Sequence, residues 1–212
     1  MDKISSVSKV ELTNSDFVKP FRILYEQDGT KKIWDCIKIH DSVTILIHNV
    51  SRDVFVLVKQ FRPAVYINQA ASHGETGSEV NTEKVPGHLG LVYELCAGIV
   101  DKNCGWNEIA QMEVLEECGY QVPLSCLEEI TLARGGTGVT GTKQAFYYAR
   151  VTDDMKVSAG GGNVDEGEMI EVVEISVAES LTFAMDQSIE KPVGLIFAFL
   201  WYHQYKAPKS IS

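Results

Sequence analysis

Alternating apolar and polar positions in the first sixty residues predict two β-hairpins. Two extended stretches flank Asp28-Gly29 in FRILYEQDGTKKIWDCIKI, and such a dipeptide is typical of a two-residue hairpin turn. β-branched runs at 43–47 and 54–58 surround a polar turn, which predicts a second hairpin. Residues 68–88 are polar and lack periodicity, so we expect a long loop there, of the kind that is often functional or mobile.

The second half of the chain has one strongly helical segment among further strands. Residues 89–100 are apolar and strand-like, and a helix is predicted to follow, with Asn107 as its N-cap and Gly119 at its C-terminal end. Three more strands are predicted at LEEITLA, AFYYARV and EMIEVVEIS, and two closing helices near 178–186 and 191–206. This order predicts an α+β fold in which helices cover a mixed sheet.

Composition narrows the function classes. The chain has 212 residues and a formal net charge of −10, which argues against a nucleic-acid partner. Its five cysteines form no C-x-x-C pair, which indicates reduced thiols. The longest apolar run, 193–202, is too short for a bilayer, and the polar N-terminus offers no signal peptide. We therefore expect a cytoplasmic protein without a membrane partner.

The predicted central helix carries an unusual acidic stripe. Glu113, Glu116 and Glu117 fall within an arc of roughly 100° on one face. Like charges at this spacing repel each other, and no basic residue lies between Asn107 and Gly119 to offset them. A solvated acidic face is the plain alternative. A bound divalent cation such as Mg²⁺, which prefers oxygen ligands, is the explanation we favour.

The segment GIVDKNCGWNEIAQMEVLEECGY (98–120) resembles the signature of the Nudix hydrolases, G-x5-E-x7-R-E-U-x-E-E-x-G-U, in which U is apolar. The matching positions are Gly98, Glu113, Val114, Glu116, Glu117, Gly119 and Tyr120. Cys104 and Met112 stand where the family has a Glu and an Arg that are thought to brace the loop against the helix. Because both members of the pair are absent, we expect a rebuilt brace and a working metal site. The alternative is a non-catalytic nucleotide-sugar binding module.

Flanking motifs, among them KQFRPAVY and ELCAG, are similar to the branch of this family that hydrolyses UDP-sugars and ADP-sugars. The likeness extends from residue 34 to 174. It implies hydrolysis of the diphosphate bond of UDP-sugars, with UDP-glucose giving UMP and glucose 1-phosphate. An ADP-ribose or ADP-sugar diphosphatase is the alternative. Water would attack one phosphorus, assisted by Mg²⁺, with Mn²⁺ as a substitute.

The resemblance also implies a set of site residues. The expected metal ligands are the carboxylates of Glu113, Glu116, Glu117 and Glu168 together with the backbone carbonyl of Ala97. Glu113 and Glu117 are the main ligands and count as catalytic, and Glu166 is the candidate base. A solvated acidic turn is the alternative for Glu166 and Glu168 in NVDEGE.

Substrate contacts are expected from residues before and after this helix in the chain. Arg62, at the end of a strand, suits a bidentate phosphate contact, although a structural ion pair is equally consistent with its position. Gly98 and Arg134 are further candidates, as are Gly138 and Thr140 in the glycine-rich stretch RGGTGVTGTK.

The same resemblance predicts how the chain is divided. Residues 1–40 would form a small N-terminal β region that contributes to a homodimer, and residues 41–212 a Nudix hydrolase domain. That domain would be an α/β/α sandwich with a mixed sheet.

Overall fold

The computed structural model of the chain describes residues 1–15, 17–163, 165 and 167–208. Within these residues the strands are β1 (Lys19–Gln27), β2 (Thr30–Lys38), β3 (Ser42–Asn49), β4 (Val54–Phe61), β5 (Leu91–Glu94), β6 (Cys96–Ile99), β7 (Leu127–Gly135), β8 (Thr142–Val151) and β9 (Ile170–Ser176). The helices are α1 (Pro63–Ser72), α2 (Trp106–Cys118), α3 (Ser180–Met185) and α4 (Val193–Tyr205). The candidate base Glu166 lies outside the described residues.

Seven strands form one mixed sheet with β3 near its centre. β3 pairs in parallel with β8 and antiparallel with β4 and β6. β5 and β9 pair with β4, and β7 pairs with β8, all of them antiparallel. β1 and β2 form a separate two-stranded sheet. The predicted α+β class with a mixed sheet and a small N-terminal β region is confirmed.

Each face of the large sheet carries its own core, because successive side chains of a strand point to opposite sides. Val43, Ile45 and Ile47 of β3 belong to the core beneath α2. Leu46, between them, belongs to the core beneath α4, where it clusters with Phe199. The sheet therefore lies between α2 and α4, which is the α/β/α arrangement that the sequence predicted.

The N-terminal hairpin has the predicted turn and an apolar exterior. Asp28 and Gly29 both have positive φ, 51° and 75°, as a two-residue hairpin turn requires. Leu24 and Ile33, which lie opposite each other, are 73% and 62% exposed. Isolated two-stranded hairpins are marginal in water, so these apolar side chains need a covering surface.

Helix α1 was not predicted. The sequence reading placed a strand end at Arg62 and a loop from residue 68, but Pro63 begins a helix, as proline often does. The buried face of α1 carries Tyr66, whose hydroxyl donates to the Val85 carbonyl at 2.6 Å. Residues 73–86 have no helix or strand, which agrees with the predicted loop.

The apolar stretch 89–100 holds two strands instead of one. β5 pairs with β4, and β6 pairs with β3, with the buried Leu95 between the two strands. A continuous apolar run does not reveal the residue at which a chain changes its pairing partner. This change of partner places the end of β6 beside α2.

The N-cap of α2 lies two residues earlier than the predicted N-cap, Asn107. Gly105 is the N-cap, and its backbone N–H donates to Glu108 Oε2 at 2.6 Å. This contact is half of a capping box, and it fixes the helix start at Trp106. Gly119 ends the helix as predicted, in the left-handed region with φ 76°.

No helix in the described part of the chain combines the length and the apolarity needed to cross a membrane. The cytoplasmic location stays a prediction from the sequence.

Candidate active site

A cavity of about 610 Å³ opens between α2, the end of β6 and the start of α4. Four parts of its wall carry carboxylates: the end of β5, the loop after β6, α2, and the segment before β9. The acidic residues that line it are Glu94, Asp101, Glu113, Glu116, Glu117 and Glu168. The basic residues of its lining, within the described ranges, are Arg62 and Lys102. The cavity is therefore strongly acidic.

Glu113 and Glu117 lie close to the backbone of β6. Glu117 Oε2 accepts a hydrogen bond of 2.9 Å from the Ala97 N–H, and the Glu117 side chain is buried. A Cβ at Gly98 would lie 2.1 Å from Glu113 Oε1, so only glycine leaves room for this carboxyl. The sequence prediction that Ala97, Gly98, Glu113 and Glu117 form one site agrees with this placement.

Crowding and burial shift the protonation of both glutamates. Burial raises the pKa of Glu117 to about 8, and the nearby charges of Glu113 and Glu168 add to the effect, against the opposing Ala97 hydrogen bond. Burial also raises the pKa of Glu113 to about 7, with a further contribution from Glu116. Without a cation, these carboxyls resist ionisation near neutral pH.

The donor set suits a hard divalent cation. Carboxylate oxygens and the Ala97 carbonyl are ligands that Mg²⁺ accepts, and burial together with neighbouring carboxylates raises the pKa of Glu113 and Glu117. No three acidic, histidine or cysteine side chains of the described residues converge as a complete cage. Mg²⁺ is often held by one or two carboxylates together with waters and substrate phosphates, so an open site fits its chemistry.

The segment 160–162 packs closely against the C-terminal end of α2. Gly161 N donates to the Glu117 carbonyl at 2.9 Å, and Gly162 N donates to the Glu116 carbonyl at 3.2 Å. All three glycines have positive φ, which lets the chain wrap closely around the end of the helix. A Cβ at Gly160 would lie 2.3 Å from the Glu117 carbonyl oxygen. The triplet thus acts as a cap on α2.

Arg62 lies at the cavity wall and is already paired. Its Nη2 lies 2.7 Å from Glu94 Oε2, which also accepts from Gln60 Nε2 at 2.9 Å. The ion pair that the sequence left open as an alternative is therefore present. The guanidinium still lines the cavity, so the predicted phosphate contact and the ion pair are compatible.

Three predicted substrate contacts do not line this cavity. Arg134, Gly138 and Thr140 belong to β7 and the loop after it, near the N-terminal hairpin. Arg134 Nη1 donates to the Gly141 carbonyl at 2.8 Å, and Trp34 Nε1 donates to the Gly138 carbonyl at 2.7 Å. Their role in substrate binding stays a prediction.

Cys104 and Met112, which replace the family's charged pair, are accommodated without a charge, and the rebuilt brace stays a prediction. Met112 packs against the core beneath α2, and Cys104 is exposed, so no charge is left without its family partner. At the start of α2, the Gly105 N–H donates to Glu108 Oε2 at 2.6 Å, which fixes the point where the loop enters the helix.

Several lining residues escaped the sequence reading. Lys102 belongs to the loop between β6 and α2, and its position as the fifth residue of the resembling segment could have marked it as a cation near the acidic stripe. Gln144 Nε2 donates to Thr44 Oγ1 at 2.9 Å, and both residues line the cavity. Phe17 and the start of α4 complete the wall. No local motif announced these residues, because strand pairing over about a hundred positions brings them together.

A sheet enclosed by helices, with crowded carboxylates on one helix facing a cavity beside a glycine-containing strand end, defines a hydrolase of the metal-assisted class. No protein-family model matches the chain. The chain is 40% identical to the uridine diphosphate glucose pyrophosphatase NUDT14 of Bos taurus over 98% of each chain, and 39% identical to that of Mus musculus over the same share. It is 31% identical to a GDP-mannose pyrophosphatase of Klebsiella pneumoniae, covering 74% of this chain and 68% of the relative. The chain belongs to the Nudix hydrolase family.

Proposed function

We propose that the chain hydrolyses the diphosphate bond of UDP-sugars, converting UDP-glucose and water to UMP and glucose 1-phosphate. The observation that carries this proposal is the pair of crowded carboxyls, Glu113 and Glu117, above the Ala97–Gly98 backbone. The bovine and murine relatives, which match over almost the whole chain, are named for the pyrophosphatase reaction on uridine diphosphate glucose.

Mg²⁺ is the proposed cofactor, with Mn²⁺ as a substitute. Glu113 and Glu117 would hold it together with Glu116, Glu168 and the Ala97 carbonyl. When bound, the cation would supply positive charge that stabilises negative charge on the phosphoryl oxygens. Nudix pyrophosphatases generally use divalent metals, which supports this choice.

The side chains of the cavity have separate tasks in this reaction. The Ala97 N–H fixes the orientation of the Glu117 carboxylate. Arg62, steadied by Glu94, presents N–H donors to the phosphate oxygens. The oxygen of water forms a bond to one phosphorus, and the bond from that phosphorus to the bridging oxygen breaks. Glu166, the proposed base, accepts the proton that the water loses.

Two other functions fit parts of the same site. An ADP-ribose or ADP-sugar diphosphatase would use the same carboxylates, because the choice of base depends on contacts elsewhere in the cavity. A non-catalytic nucleotide-sugar binding module would explain the altered positions Cys104 and Met112.

One experiment separates these functions. The protein is incubated with UDP-glucose, GDP-mannose, ADP-glucose and ADP-ribose in Mg²⁺ and ¹⁸O-labelled water, and the products are identified by mass spectrometry. We expect UMP and glucose 1-phosphate as the fastest products, with ¹⁸O in one of them. Faster turnover of an ADP substrate would favour the second function, and binding without turnover at any Mg²⁺ or Mn²⁺ concentration would favour the third.

We also propose a homodimer built through residues 1–40. The support is the apolar exterior of the hairpin, where Leu24 and Ile33 on one side and Trp34 on the other are more than half exposed. Paired Leu24→Glu and Ile33→Glu substitutions should halve the mass measured by light scattering, whereas Lys31→Glu in the same hairpin should not. An unmutated protein that is monomeric at micromolar concentration would refute the proposal.

A further inference from the structure

Lys102 is the cation of the cavity that has no fixed partner. Arg62, the other basic residue of the lining, is held by Glu94 at 2.7 Å. Lys102 is exposed and forms no ion pair within 4.0 Å with any described residue, although six acidic residues share the lining with it. A lysine that faces a cavity without a partner is free to take an anionic ligand.

The loop that carries Lys102 is anchored at both ends. Val100 N donates to the Asp41 carbonyl at 2.8 Å, at the point where the chain leaves β6. At the other end, Gly105 N donates to Glu108 Oε2 at 2.6 Å, which ties the loop to the start of α2. Lys102 therefore extends from a short fixed segment at the cavity wall, and its reach is limited to that region.

The position of Lys102 relative to the carboxylates agrees with a role beside the metal site. Its charge acts on Glu113, where it opposes the rise in pKa that burial and Glu116 produce. Cys104, two residues further on, offers no carboxylate that could pair with the ammonium group. A diphosphate brings about two negative charges into a cavity that is already acidic. A divalent cation on the glutamates would contact only some of the phosphate oxygens, so the other phosphate oxygens still need hydrogen-bond donors.

We propose that Lys102 binds the diphosphate of the substrate, with Nζ donating a hydrogen bond to a phosphate oxygen beside Glu113. This inference deepens the proposed function and rests on it. Lys102 would then be a substrate-binding residue supplied by the loop before α2. The competing explanation is that Lys102 only neutralises Glu113 and acts on catalysis through the glutamates.

The two explanations differ in the sign of one measurement. Lys102→Met removes the charge and keeps most of the side-chain volume, whereas Lys102→Arg keeps the charge and the donors. Lys84→Met is the matched control, because Lys84 is exposed and pairs with Glu75, and neither residue lines the cavity. For each variant, the affinity for the non-hydrolysable α,β-methylene analogue of UDP-glucose is measured by calorimetry with Mg²⁺. The affinity for Mn²⁺ alone is measured by electron paramagnetic resonance.

We expect Lys102→Met to weaken analogue binding about tenfold, which is the scale of one charge-assisted hydrogen bond at a partly exposed site. Its Mn²⁺ affinity should be unchanged or higher, because a positive charge beside the carboxylates has been removed. Lys102→Arg should bind within about threefold of the unmutated protein, and Lys84→Met should be indistinguishable from it.

Two results would overturn the proposal. One is analogue binding by Lys102→Met within twofold of the unmutated protein. The other is a loss of Mn²⁺ affinity as large as the loss of analogue affinity, which would mean that Lys102 acts through the glutamates. Failure of the proposed function would be seen separately, as an unmutated protein that turns over no nucleotide sugar. Analogue binding could still be compared between the variants of that protein.

Discussion

On the α4 face of the sheet, His48 lies between Tyr148 and Asp53, whereas on the α2 face Glu113 and Glu117 lie together without a bonded cation. His48 Nδ1 and the Tyr148 hydroxyl are 2.9 Å apart, and His48 Nε2 is 3.1 Å from Asp53 Oδ1. His48 and Glu117 are buried, and Glu113 is partly buried. His48 has complementary partners on both sides, whereas Glu113 and Glu117 have further carboxylates close to them.

The protonation of the two groups reflects this difference. Burial lowers the pKa of His48, so the ring stays neutral between a phenol and a carboxylate. Burial together with neighbouring charge raises the pKa of Glu113 and Glu117. Burying an ionisable group lowers stability unless the group is paired. The crowded Glu113 and Glu117 carboxyls therefore indicate a ligand site. The hydrogen bonds of His48 with Tyr148 and Asp53 indicate a structural role.

The largest effect is expected on the α2 face, where Glu117→Gln keeps the side-chain shape but removes the charge. The amide can still accept from the Ala97 N–H, so the helix should stay in place. Loss of one charged group that stabilises the reaction typically costs 10²–10³ in rate, and we expect kcat/KM for UDP-glucose to fall roughly 10³-fold. Steady-state kinetics over a Mg²⁺ titration measures this change.

The matched variant on the opposite face is Tyr148→Phe, which removes the hydroxyl bonded to His48. It should lower the free energy of unfolding by about 1 kcal/mol and leave kcat/KM within about twofold. If Glu117→Gln kept nearly full activity while folded, the assignment of the metal site to α2 would be wrong.

Local sequence carried the information for α2, β3, β4 and the hairpin, because their patterns repeat within a few residues. Gly119 and the Asp28-Gly29 turn were predicted because glycine, and to a lesser degree aspartate, adopts positive φ easily. The crowding of three glutamates at helical spacing likewise predicted a site. Each of these inferences needed only neighbours in the chain.

Long-range pairing carried the rest. The contact between Gln144 and Thr44 depends on the parallel register of β3 and β8, which no local pattern encodes. The interruption at Leu95 between β5 and β6 arises because β5 pairs with β4 whereas β6 pairs with β3. Helix α1 was missed because its single local signal, Pro63, is equally common after a strand.

The second largest effect is expected in the α4 core, where Phe199→Ala opens a cavity. Phe199 is fully buried, and its ring stacks on Phe55 with centroids 4.8 Å apart. Such truncations typically cost 3–5 kcal/mol, and we expect the free energy of unfolding in urea to fall by about 3 kcal/mol. Because Phe199 does not line the cavity, kcat/KM at 25 °C should stay within about twofold.

Phe199→Leu is the milder control and should lose less than half as much stability. A folded Phe199→Ala protein with kcat/KM reduced more than tenfold would show that the two faces are not as independent as their cores suggest.

A smaller effect than that of Phe199→Ala, on the order of 2 kcal/mol, is a dependence of stability on pH that has opposite signs on the two faces. The folded pKa values of Glu113 and Glu117 lie above their ordinary value of 4.5. The stability that they contribute is therefore complete below pH 4.5 and is lost as pH rises through about 7 and 8. The pKa of His48 is lowered from 6.5, so its contribution is complete above pH 6.5 and is lost as pH falls.

Between pH 6.5 and 8.5, therefore, the glutamates titrate while the contribution of His48 is constant. In EDTA, the free energy of unfolding should decrease by about 2 kcal/mol across this window. Adding Mg²⁺ at pH 8.5 should recover most of the loss, since the ionised carboxylates then bind the cation in the folded state only. The double variant Glu113→Gln, Glu117→Gln should show neither the slope nor the recovery. A slope that persists in the double variant would mean that other groups titrate in this window, and the contrast between the two faces would then lose its electrostatic basis.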